Sequence, residues 1–194
     1  MKQHGRILSL MAVAAVSLLA SAATASAAPT LTSSVGKEYT GIIRASLEGS
    51  SSSLLKAGIE DTCTESTLEG SVEVNNEELA EGSLTTFAFG KCTQDTTVFS
   101  RGKLLFKPSG TVALAGSRVE VKVTSLGITC FYGTETGSID IGTLTPTNGG
   151  TFTATIDVNT TELPREAGSN LFCASKATWT GSYLVTIPDT LYLS

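Results

Sequence analysis

The sequence predicts an all-β domain: an antiparallel β-sandwich or flattened barrel, built from an internal duplication and held by two disulfides. Three observations carry this. Apolar and polar residues alternate with a period of two in one short segment after another. Gly- and Ser-rich clusters separate those segments. The stretch CTESTLEGSVEV at 63–74 returns as CFYGTETGSIDI at 130–141, with Cys, Gly, Ser, aliphatic, acid and aliphatic residues in the same order.

The alternation is clearest in RVEVKVT, 118–124, where Val119, Val121 and Val123 share one face and Arg118, Glu120 and Lys122 the other. TFTATIDV, 151–158, places Phe152, Ala154, Ile156 and Val158 together. TWTGSYLVTI, 178–187, does the same with Trp179, Tyr183, Val185 and Ile187. SVEV and SIDI repeat the pattern over four residues, and Thr and Val enrichment fits a half-buried strand. In SRGKLLFK, 100–107, the phase stays open: Leu104 and Phe106 share a face, but the repeat favours Leu105. EGSSSS, KPSG, AGS and TNGG punctuate the segments as turns. Only NNEELAEG, 75–82, could hold a helical turn. At least nine short strands are expected.

A slide of 67 residues tests the repeat. Leu47 falls on Leu114, Gly49 on Gly116, Thr62 on Thr129, Cys63 on Cys130, and Gly70 and Ser71 on Gly137 and Ser138. The register breaks after Phe89 and returns at an offset of 80, where Phe99 meets Trp179 and Pro108 meets Pro188. The copies span about 45–108 and 112–188, the second carrying about 13 extra residues within 159–172. Equivalent residues should then share burial: Val72 and Val74 inward like Ile139 and Ile141, with Glu73 and Asp140 to water.

The start of the chain has a different character. Lys2 and Arg6 precede an apolar run, Ile7 to Ala20, and Ala25-Ser26-Ala27 fits a peptidase site. Residues 1–27 are expected to be a secretory signal peptide, 28–36 a flexible N-terminal segment and 37–194 a single β domain. No later apolar run is long enough for a membrane helix, so a secreted or envelope-associated chain is expected. All 18 acidic residues follow residue 27, while Lys2 and Arg6 precede it, so residues 28–194 carry about −7. That balance argues against nucleic acid or an anionic membrane as partner.

The only His, His4, lies in the expected signal peptide, which removes imidazole from any catalytic or zinc site beyond it. Cys63, Cys92, Cys130 and Cys173, an even count in an exported chain, read as two disulfides. If each copy keeps its own bridge, the pairs are Cys63–Cys92 and Cys130–Cys173. Cys92 and Cys173 sit close to Phe89 and Phe172, as core-facing half-cystines would.

Paired carboxylates could run glycoside hydrolysis without His. Glu60, Asp61, Glu73, Glu135, Asp140, Asp157 and Glu162 are the candidates, although Glu73 and Asp140 fall on the polar faces of alternating strands. No calcium-loop pattern occurs, NNEE at 75–78 reads as a turn, and no cofactor or metal motif is present. NTT at 159–161 and LPREA at 163–167 both lie in the expected insertion, where a long loop on a rigid scaffold could carry function. Trp179, in phase with its apolar neighbours, reads as core, whereas Tyr132 and Tyr192 are freer for surface contact.

The segments ITCFYGTETGSIDIGTLTP and LFCASKATWTGSYLVTIPDTLYLS resemble exported bacterial β-proteins of similar length. TCTESTLEGSV and FGKCT are more loosely similar to secreted proteins described as activators of alkane oxidation. The resemblance implies a secreted, non-catalytic β domain and transfers no catalytic residue. The function expected is therefore an exported structural or binding module with a surface or extracellular ligand. The alternatives are a two-carboxylate hydrolase of an extracellular polymer and a carrier or activator for apolar molecules.

Overall fold

In a computed structural model, residues 30–34, 36–56, 59–147 and 153–194 are described; the expected signal peptide lies outside them, as does Phe152. Fourteen strands follow in chain order: β1 Leu31–Ser34, β2 Lys37–Glu38, β3 Ile42–Lys56, β4 Ile59–Asn75, β5 Ala80–Cys92, β6 Asp95–Ser100, β7 Lys103–Phe106, β8 Thr111–Ala115, β9 Arg118–Val123, β10 Ile128–Gly133, β11 Ser138–Thr145, β12 Thr155–Pro164, β13 Lys176–Ile187 and β14 Tyr192–Leu193. No helix occurs among the described residues, and 76–79 is a bend between β4 and β5. The strands are not all short: β4 has 17 residues and β3 has 15.

Of the two expected architectures, the barrel is the one formed. Eight strands close in the order β3-β4-β5-β7-β8-β11-β12-β13, and β13 pairs back onto β3. Every neighbour is the next barrel strand along the chain, so the topology is up-and-down, and closure leaves the barrel without an edge. Apolar side chains fill the inside, among them Leu68, Phe87, Leu104, Phe106, Leu114, Ile141, Ile156, Trp179 and Tyr183. Eight strands enclose a lumen of about the size side chains can fill. Leu104 and Phe106 point inward, which resolves the phase of 100–107.

Two three-stranded sheets stand at opposite ends. β14-β1-β2 sits beside the β4–β5 bend, where Thr30 bonds Asn76, and beside the segment that follows β11, where Thr147 bonds Leu191. The segment expected to be a flexible tether thus supplies β1, whose Leu31 is fully buried. At the other end β10-β9-β6 forms a cap. Its inner face has its own apolar cluster of Val121, Val123, Ile128, Cys130, Tyr132, Cys173 and Ala177.

The order splits into two runs of four, β3-β4-β5-β7 and β8-β11-β12-β13, the division that the repeat boundaries suggest. The residue-level prediction fails within it. Val72 is buried but Val74 is 42% exposed, whereas Ile139 is half-buried and Ile141 fully buried. Register shifts fall between Val72 and Val74 and between Asp140 and Gly142. A one-residue slip exchanges inside for outside, so a gapless alignment cannot carry face assignments across a bulge. Cys63 also lies on the long β4, whereas Cys130 lies on cap strand β10, separated from β11 by a turn.

Candidate functional site

The capped end of the barrel gathers most of the residues that could carry chemistry. Both disulfides are there, Cys63–Cys92 with an S–S distance of 2.05 Å and Cys130–Cys173 with 2.01 Å. The first joins directly opposed residues of β4 and β5. The second ties β10 of the cap to the β12–β13 loop. That loop runs along the free edge of β10: Glu166 N donates to Phe131 O at 2.8 Å, and Asn170 N donates to Thr129 O at 2.9 Å.

Asp61 is 4% exposed, and its carboxylate organises the β5–β6 turn. Gln94 N donates to Oδ1 at 2.9 Å and Thr93 Oγ1 to the same oxygen at 3.2 Å, while Thr96 Oγ1 donates to Oδ2 at 2.5 Å. Asp61 with Cys63 and Cys92 is the one group of potential metal ligands among the described residues. Both sulfurs are bridged and offer no thiolate, so the group reduces to a single carboxylate, too few donors for zinc or calcium.

Between the barrel and the cap lies a cavity of about 40 Å³, bordered mainly by Phe87, Leu114 and Trp179 below and Val119 and Val121 above, with Asp61 at one side. A polar chain in the barrel adjoins it. Trp179 Nε1 donates to Ser51 Oγ at 3.1 Å, Tyr183 Oη to Ser66 Oγ at 3.0 Å, and Ser66 Oγ to Ala88 O at 2.8 Å. Burial pushes the Tyr183 phenol up to about 12, with the hydrogen bonds to Ser66, Trp179 and Ser51 opposing it.

The other candidate carboxylates do not join Asp61 at the cavity. Glu60 is exposed. Glu73 accepts from Ser83 at 2.8 Å, Asp140 pairs with Lys107 at 2.7 Å, Glu135 with Arg118 at 3.3 Å, and Asp157 accepts from Ser182 at 2.6 Å. All four are exposed on outer surfaces. Nothing is described of the Glu162 side chain.

Compared with protein-family models, curated proteins and solved structures, the chain matches none.

Several sequence expectations change here. Tyr132, read as free for surface contact, is 3% exposed; its hydroxyl donates to Ala174 O at 3.2 Å, and burial raises its pKa against Arg165 and that bond. Tyr192 is half-buried in β14. Trp179 is core, as its phase implied. Phe89 packs against the barrel core, but Phe172 is 67% exposed. The expected insertion is not all loop, because 159–164 belongs to β12. Sequence reasoning missed the role of Asp61. It stands two residues before a half-cystine, but its three donors come from residues 93–96, beyond any local pattern.

Proposed function

We propose that this chain is an exported, non-catalytic structural or binding module acting at or outside the cell surface. The observation that carries the reading is the state of Asp61. It is the one carboxylate among the described residues that border the cavity between barrel and cap, and the turn at 93–96 engages both its oxygens. A hydrolase of the two-carboxylate kind needs a second acid across a cleft, roughly 5–10 Å away. The outward barrel face carries ion pairs such as Lys103–Glu81 while the inside is apolar, the reverse of a barrel facing lipid. Two disulfides suit an oxidising compartment. The likeness to secreted alkane-oxidation activators belongs to the same proposal, as an exported β domain only. We also read the division into two runs of four strands as the trace of an internal duplication.

The test is a turnover screen of the purified chain against polysaccharide, ester and peptide substrates. No turnover is expected. Turnover that disappears on substituting a single Asp or Glu would replace this reading with the hydrolase. The second reading, a carrier for apolar molecules, is favoured by one observation, the apolar walls of the cavity.

A further inference from the structure

The cavity at the barrel mouth lies between two apolar clusters, one inside the barrel and one under the cap, which Val119 and Leu163 bridge. Its volume of about 40 Å³ would hold about three waters, taking 10–15 Å³ for each. Ser51, Asp61, Thr96, Ser117, Tyr132 and Thr178 also reach the lining, but most of the exposed wall is apolar, from side chains such as Phe87, Leu114, Trp179, Val119 and Val121. An apolar body of a few carbons suits those walls better.

One charged group stands in that lining. Asp61 Oδ2 accepts from Thr96 alone among the described residues, although a carboxylate oxygen can accept two hydrogen bonds. The Cys63 sulfur 3.7 Å away is bridged and has no proton to give. The remaining lone pair calls for a donor. An ammonium would have to shed its water among apolar walls for one oxygen, so a neutral hydroxyl is the fitting donor.

Access follows from the way the cap is attached. β6, β9 and β10 form strand ladders only with one another, and the β12–β13 loop, bonded and bridged to the outer edge of β10, belongs to the same cap. Three of the four chain passages between cap and barrel contain or adjoin a glycine: Gly102, Gly116 and Gly133, the first two at positive φ. A cap joined in this way can shift together with that loop while every barrel ladder stays paired, giving up the bond from Thr96 to Asp61.

We propose that this chamber is a binding site for a small neutral molecule with an apolar body of a few carbons and one hydroxyl, admitted by displacement of the cap. The proposal rests on the binding-module reading above and gives that module a ligand class.

Trp179 borders the chamber and is the only Trp in the chain, so its fluorescence reports occupancy. The full chain is titrated with 1-butanol and with diethyl ether, an isomer that lacks the donor. Saturable responses are expected from both, with 1-butanol binding about fivefold more tightly for one added hydrogen bond. Val121→Phe, which fills the chamber from the cap side, should abolish the response. Equal affinities, no saturable response, or an undiminished response in Val121→Phe would overturn the proposal. If that variant loses the wild-type near-UV dichroism, amide shift mapping of the wild type decides instead. Perturbations centred on β4, β9 and β13 support the site, and a centre elsewhere overturns it. Turnover in the substrate screen would defeat the non-catalytic reading whatever butanol does; a silent screen with no butanol response defeats only the chamber.

Discussion

Asp61 and Tyr183 show what single polar groups do inside this barrel. Removing the Asp61 carboxylate strands the Gln94 N–H and two threonine hydroxyls. Asp61→Ala is therefore expected to lower stability by about 2–4 kcal/mol in urea unfolding. Asp61→Asn should lose less, because its amide oxygen still accepts; equal losses would show that the acceptor is not what matters. Tyr183 gives a pH test. Its folded pKa, about 12, lies above the ordinary phenol value of 10.0, so folding favours the neutral phenol. That stabilisation is complete below pH 10 and is lost as pH rises through 10 toward 12, on the order of 3 kcal/mol in all. Unfolding measured from pH 8 to 12 should show the decline, and Tyr183→Phe should remove Tyr183's share of it. A variant as alkali-sensitive as the wild type would contradict the assignment. Tyr39 and Tyr132, also raised by burial, supply a smaller slope of the same sign.

At the level of elements, the two disulfides close loops of 29 and 43 residues. In the chain-entropy model these stabilise the fold by roughly 3.5 and 4 kcal/mol. Their local consequences differ. Cys63–Cys92 reinforces a β4–β5 ladder that is already long, whereas Cys130–Cys173 anchors the cap to the β12–β13 loop. Replacing Cys130 and Cys173 by Ser should speed amide exchange in 165–173 and in β10 ahead of the barrel strands; uniform acceleration would mean that cap and barrel open together. The pairing was legible from sequence because each bridge stays within one proposed copy. Strand identity was legible at 118–123, 155–158 and 178–185, where alternation is unbroken. It was not legible at 72–74 or 139–141, because bulges reset the phase and their positions depend on the partner strand.

Across the whole molecule, β1 and β14 stitch residues near the start of the described chain to its end: Leu31 pairs with Leu193, and Ser194 N donates to Thr30 O. A chain beginning at residue 36 would lose the fully buried Leu31 and uncover the neighbouring Leu191. We expect it to be about 2–3 kcal/mol less stable than one beginning at residue 28, by thermal or urea unfolding. Equal stability would show that this sheet is an ornament on the barrel. The junction of cap and barrel is tighter. A Cβ at Gly102 would stand 2.1 Å from Ala115 O, on a residue whose φ is +71°. Gly102→Ala should therefore cost more than the roughly 1 kcal/mol of an unstrained position, in the same unfolding assay.

The sequence by itself determined the class of this protein. Period-two alternation, Thr and Val enrichment and Gly–Ser punctuation are local signals, and they dictated strands. Four cysteines, divided between two similar segments, dictated two bridges and their partners. Tertiary structure decided what no local signal encodes. Barrel closure depends on β13 meeting β3, strands more than a hundred residues apart. Tyr132 is buried because the loop from β12 to β13 folds over its strand, and Asp61 is a structural acceptor because the turn after Cys92 comes to meet it. Alternation tells a side chain which face it shares with its neighbours in sequence; only the packing of distant strands decides whether that face looks into a core, a chamber or water.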